Sequence, residues 1–194
     1  MFKKILTVSL SLTSLAFFHI HSMNLSKEET LQPDVLVAAI KCVLKQQPSY
    51  PTLTLNDYEN VRTMVQNHLF RLQLSLGNIK NAYGCTTLHF AAALGYTDVI
   101  KIILSLDKTL FEIAANEGST ALHKAAWFEQ LDTIELLLNL IEKDKVLNFL
   151  IKKNNVGKSA CDIAEGPKGT AVQKLLIGIE EKLRASDNQA QSTF

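Results

Sequence analysis

The sequence predicts an all-α chain built as a stack of helix-turn-helix repeats, an α-solenoid with a helical N-terminal cap. Three observations predict it. The chain resembles itself at a fixed spacing, the one that separates Gly84 from Gly118, which marks a repeat array rather than a single packed core. Its 194 residues contain only 8 Gly and 4 Pro, too few for a turn-rich β architecture. Apolar residues recur every three or four positions, the helical period.

Taken in chain order, Met1 to Ser22 stand apart. Lys3 and Lys4 precede an uncharged run from Ile5 to Ile20, diluted by Thr7, Ser9, Ser11, Thr13 and Ser14. The run is shorter and wetter than the roughly 20 apolar residues of a spanning helix. It therefore reads as a cleaved secretory signal (1–22), with an uncleaved membrane anchor as the alternative. Ser14-Leu15-Ala16 offers small residues for cleavage, and Ile20-His21-Ser22 a weaker choice.

Residues 24–78 read as a helical cap or degenerate repeat. Ser26 to Glu29 fit a capping box, and Pro33 to Lys45 carry an apolar face of Val35, Leu36, Ala39, Ile40 and Val43. Pro48 and Pro51 break that helix. Asn56 and Glu59 form a second box-like pair, opening a helix in which Tyr58, Val61, Val65, Leu69 and Leu72 recur and which Gly77 closes. Val65, Leu69 and Phe70 align with Val99, Ile103 and Leu104 at that same repeat spacing.

The repeats follow over 79–184. One copy reads GCTTLHFAAALGYTDVIKIIL from Gly84, and another reads GSTALHKAAWFEQLDTIELLL from Gly118. Thr86/Thr120, Leu88/Leu122, His89/His123, Ala91/Ala125, Ala92/Ala126 and Asp98/Asp132 all pair in one register. A weaker third copy starts at Gly157, with Ser159 in the Thr place, Cys161 in the Leu place and Asp162 in the His place. Gly157 comes later than the fixed spacing would put it, so the second unit holds extra residues between Asn139 and Asn155. Thr86 and Thr120 are placed to cap helix N-termini, the paired alanines let neighbouring helices approach closely, and Gly84 and Gly118 suit tight turns. Glu129 stands where the first copy has Gly95, so that turn is either rebuilt or holds Glu129 in a strained dihedral. Residues 185–194 read as a polar, flexible tail. Its Ser192-Thr193-Phe194 end resembles a short PDZ-ligand ending, though so short a match carries little weight against a solvated tail.

Two matching TxLHxAA blocks in register resemble the ankyrin repeat. The resemblance covers Ile79 to Leu183, with clear repeats from Asn81 to Lys153 and a degenerate third to Leu183. None of the copies has the Pro of the family's T-P-L-H core; Thr87, Ala121 and Ala160 stand there, at a modest cost in stability. The resemblance implies that His89 and His123 serve local hydrogen bonding. It also implies a concave recognition face made of turn tips and the exposed side of each first helix. Residue by residue, the tips are Ala82, Tyr83 and Cys85, then Asn116, Glu117 and Ser119, then Val156 and Lys158. The helix positions are Ala93 and Leu94, then Trp127 and Phe128. The partner-binding set expected from this is Tyr83, Cys85, Leu94, Asn116, Glu117, Ser119, Trp127 and Phe128. Trp127, the single Trp of the chain, is expected to be exposed there, with burial under the cap as the alternative.

Charge and motifs limit the function classes. With 20 Lys+Arg against 19 Asp+Glu, and a balance that stays near zero once Met1 to Ser22 are removed, no electrostatic footprint for nucleic acid exists. The three cysteines, Cys42, Cys85 and Cys161, match no zinc or redox spacing; Cys42 and Cys161 sit in apolar helical patterns and read as small buried hydrophobes. No phosphate loop, HExxH or GxSxG occurs, so no catalytic residues, metal, cofactor or small-molecule substrate are expected. The expectation is a non-enzymatic module exported to the periplasm or medium, either a bacterial host-interaction protein or a periplasmic scaffold, with a protein partner. Two alternatives stay open: a small enzyme using a Cys85/His89 thiol, and a membrane-tethered adaptor with an uncleaved signal.

Overall fold

The computed structural model describes residues 32–47, 50, 52–72, 75–142, 144–164 and 169–191. The expected signal segment, the box at Ser26 to Glu29, the breaks at Pro48 and Pro51 and the Ser192-Thr193-Phe194 end lie outside them. Among the described residues the chain forms nine α-helices and no sheet, and no helix is long and apolar enough to cross a membrane.

Helix α1 (Pro33–Lys45) starts on a proline, whose missing N–H costs nothing at that position, with Asp34 in its first turn and Lys45 in its last. It buries Leu36, Val37, Ile40, Val43 and Leu44. Val35 and Cys42 are exposed, against expectation. They lie two turns apart on one stripe, turned away from the helices that α1 touches.

Helix α2 (Leu55–Leu72) opens on a box different from the expected Asn56/Glu59 pair. The Asp57 carboxylate accepts from Thr54 N at 2.8 Å and from the Thr54 hydroxyl at 2.6 Å, while Asp57 N donates back to Thr54 Oγ1 at 3.3 Å. Glu59 instead pairs with Arg62 at 3.0 Å. Gly77 does not close the helix; it lies in a separate one-turn 3-10 segment, Leu76–Asn78. Val61, Val65 and Leu69 are buried, but Phe70 is exposed although its counterpart Leu104 is buried. The helix holding Leu104 has stacked neighbours on both sides, whereas α2 has one on a single side, so its buried stripe is narrower.

The two clear repeats give α3 (Thr87–Leu94) with α4 (Thr97–Leu106), and α5 (Ala121–Trp127) with α6 (Leu131–Leu140). First helices stack in one row (α1, α3, α5) and second helices in another (α2, α4, α6). Leu88, Ala91 and Ala92 of α3 and Leu122, Ala125 and Ala126 of α5 are buried between the rows. Val99, Ile100 and Ile103 meet them from α4, and Ile134 and Leu137 from α6. Lys41 of α1 ties the first two units together, reaching Asp98 in the first turn of α4 at 2.5 Å and lying over the Tyr96 ring at 4.9 Å.

The turn inside the second repeat keeps its shape, so Glu129 takes a left-handed φ of 57°, matching Gly95 at 70°. A non-glycine residue there costs about 1 kcal/mol. The extra residues of the second unit turn what is a 3-10 segment in the first (Lys108–Phe111) into helix α7 (Val146–Ile151). The Phe111 and Phe149 rings of these two segments meet edge-on at 6.1 Å.

The degenerate copy forms the short α8 (Ala160–Ile163), stacked on α5, and α9 (Gly169–Gln191), packed on α7 and α8. Asp162 reproduces the box, accepting from Ser159 N and Oγ at 2.8 Å each. These bonds hold its carboxyl below the ordinary range. Residues expected as tail from 185 onward continue α9 as helix to Gln191.

Candidate functional site

The turn tips are built by backbone accounting. Asn81 Oδ1 accepts from Tyr83 N at 3.0 Å and Cys85 N at 2.9 Å, and an antiparallel bridge between Lys80 and Thr86 closes the loop. Each tip is then bonded to the next. Asn116 donates its backbone N–H to Tyr83 O at 2.9 Å and its side-chain amide to Ala82 O at 3.0 Å. Asn155 repeats this one unit later, onto Glu117 O at 3.0 Å and Asn116 O at 2.9 Å. The ladder explains Gly84 and Gly118, which sit at φ 74° and 80°. A Cβ on Gly84 would collide with Asn116 Oδ1, and one on Gly118 with Asn155 Oδ1. Asn116 is exposed as expected, but its amide serves this ladder.

The repeated histidines join each helix start to the following tip. His89 Nδ1 accepts from Thr86 N at 3.1 Å and lies 2.9 Å from Thr86 Oγ1. Its Nε2 faces Ser119 O of the next repeat at 3.0 Å. An N–H on one side and a carbonyl on the other fix a neutral ring with its proton on Nε2. His123 does the same with Thr120 N at 3.2 Å and Lys158 O at 3.2 Å. Burial pushes the His89 imidazole down to about 4, and lowers His123 too.

These contacts remove the Cys85/His89 dyad. Both ring nitrogens of His89 are already engaged, and burial raises the Cys85 thiol, keeping it protonated. Among the described residues no group of three or more His, Cys, Asp or Glu is placed to hold a metal ion.

Beside the tips, α3 and α5 frame a groove of about 650 Å³. Phe90, Ala93 and Leu94 of α3 form one wall, and Lys124 of α5 with Phe128 after it forms the other. Tyr83 and Glu117 stand at the tip end, while Asn81, Cys85 and His89 border it. Glu117 and Lys124 pair at 2.5 Å across the tip and helix. Leu94 and Phe128 are 50% and 52% exposed, apolar surface that no other part of the described chain covers.

Of the eight residues expected to bind a partner, Tyr83, Cys85, Leu94, Glu117 and Phe128 come together at this groove. Two of the eight are buried, against expectation: Cys85 at 8% and Ser119 at 6% exposure. Each follows a tip glycine and leads straight into the capping Thr, so the chain has already turned inward. Trp127 is exposed at 67%, as expected, but does not line the groove. Phe90 and Lys124 were not foreseen. They hold the variable place of TxLHxAA, one helical turn before Leu94 and Phe128, where the helical period puts the next residue of the same face.

A family model described as ankyrin repeats (3 copies) matches residues 55–149, from the first residue of α2 to Phe149 in α7. No curated protein matches the chain. Residues 55–149 therefore form an ankyrin-repeat region, a stack of short helices whose fold supports protein–protein interaction.

Proposed function

We propose that this protein is an exported interaction module that holds a protein partner in the groove between α3 and α5, as a host-interaction protein or a periplasmic scaffold. One observation carries the binding site: Leu94 and Phe128 stay half exposed beside Phe90 and Tyr83, and these apolar side chains line a single groove. Tyr83, Leu94, Glu117 and Phe128 are its contact residues. Trp127, exposed next to Phe128, extends it at the rim, where Trp is a frequent anchor. The export part is supported by the sequence of Met1 to Ser22, with its two lysines and uncharged run.

Photo-crosslinking in the source organism tests the site. A benzoylphenylalanine at Phe128 or Leu94 is expected to trap one partner, and the same group at Phe70 on α2 is not. Crosslinks from Phe70 alone would move the binding site off the concave face. N-terminal sequencing of the mature protein tests export; an intact Met1 in a soluble cytosolic fraction would end that part of the proposal.

A further inference from the structure

The groove also constrains the conformation of what it holds, an inference that rests on the groove being the binding site. A bound segment brings its own backbone N–H and C=O groups, and each one left unpaired in an apolar groove loses its hydration without return. An extended segment can avoid that only by pairing with free backbone on the wall. The tips offer little. Ala82 O and Tyr83 O are both taken by Asn116, and Asn116 O and Glu117 O by Asn155. Tyr83 N and Cys85 N go to Asn81 Oδ1, and Gly84 N goes to Asn81 O. The remaining walls are α3 and α5, whose interior backbone bonds run along the helices themselves. An occupant that fits this surface satisfies its own backbone.

Its side chains are constrained as well. Phe90 with Leu94, and Lys124 with Phe128, are i, i+4 pairs on two stacked first helices, so the furrow runs along helix ridges. The charged side chains on its wall, Glu117 and Lys124, neutralise each other at 2.5 Å, and His89 is neutral. The complementary surface is uncharged. A volume of about 650 Å³ admits a few large apolar side chains.

We propose that the groove takes an amphipathic α-helix of the partner, inserting uncharged apolar residues at i, i+3 and i+4 spacing.

Two peptide display libraries panned against the full chain test this. One presents single amphipathic helices with randomised apolar positions; the other presents peptides interrupted by Pro at every third residue, which cannot form a helix. Binders are expected from the helical library. Their affinity should fall at least about tenfold with Leu94→Asp and with Phe128→Asp, and change little with Phe70→Asp or with added salt. Both groove positions are half exposed, and circular dichroism confirms that each variant is folded; if one is not, the other decides. Binders drawn from the Pro-interrupted library and lost with the same substitutions would overturn the helical occupant and leave the groove standing. Strong salt dependence would overturn the uncharged face. Binders insensitive to both substitutions would overturn the groove itself, and no binders from either library would overturn the helix proposal.

Discussion

His89→Asn separates the two jobs of the repeated histidine. Asn keeps an acceptor for Thr86 N but is too short for Ser119 O, which retains its second donor, Ala115 N, at 2.9 Å. Losing the inter-repeat bond should cost about 1 kcal/mol at neutral pH. The acid side is more telling. His89 titrates at about 4 in the fold against 6.5 when free, because burial disfavours the charged ring. The unfolded chain therefore binds more protons between those values. Stability from this residue is complete above about 6.5 and is lost as pH falls toward about 4. Two-state linkage with these values puts the loss between about pH 7 and about pH 5 near 2 kcal/mol. Urea melts of wild type and His89→Asn at both pH values read it directly. His123 shifts in the same direction, and the depressed Asp162 acts at lower pH; both are present in each protein and cancel in the difference. The variant should lose about 2 kcal/mol less than wild type on acidification. Equal losses would refute the neutral, doubly bonded histidine.

Thr87→Pro should stabilise the protein by about 0.5–1 kcal/mol, read as a higher urea midpoint. Thr87 is the first residue of α3, its buried hydroxyl has no partner, and Thr86 before it sits at φ −89° and ψ 175°, as a residue preceding Pro prefers. Trp127→Ala should cost under about 1 kcal/mol of stability, because its ring is largely exposed; a loss near 3–5 kcal/mol in a melt would mean a core residue instead. In the native protein an alkylating reagent should label Cys42 quickly and spare Cys85 and Cys161 until denaturant is added. Cys42 is exposed, whereas burial raises Cys85 and pushes Cys161 up to about 11. Mass spectrometry of the labelled peptides shows which thiols reacted.

The helix starts were legible because a capping Thr with His at the third helical position is a local signal, and its recurrence from Gly84 to Gly118 set the register of the stack. Aligning Glu129 with Gly95 left two outcomes for that turn, a rebuilt turn or a strained residue, and the structure takes the second. What escaped was whatever depends on neighbours rather than on local pattern. Thr54 and Asp57 form the same box as Thr86 and His89, but with Asp in the His place and no Leu beside it, the signal went to Asn56 and Glu59. Val35, Cys42 and Phe70 look like core residues in a helical pattern, yet exposure there depends on how many helices flank α1 and α2. At the groove, Tyr83, Leu94, Glu117 and Phe128 followed from the family resemblance carried over in register, while the burial of Cys85 and Ser119 depended on how the tips fold back onto the helices.

Asp162 has a consequence for the length of the array. His89 and His123 each cap a helix with one nitrogen and donate a hydrogen bond to the following turn's carbonyl with the other. Asp162 caps α8 equally well, but an ionised carboxylate has no hydrogen to donate. A further unit placed against that end, whether grafted on or offered by another copy of the chain, would find no donor for its turn carbonyl, because Asp162 is too short to reach it and its carboxylate is taken by Ser159. Such a joint lacks the inter-repeat bond that His89 and His123 make, so extension through that end is weaker by about 1 kcal/mol. Asp162→His would supply the missing donor.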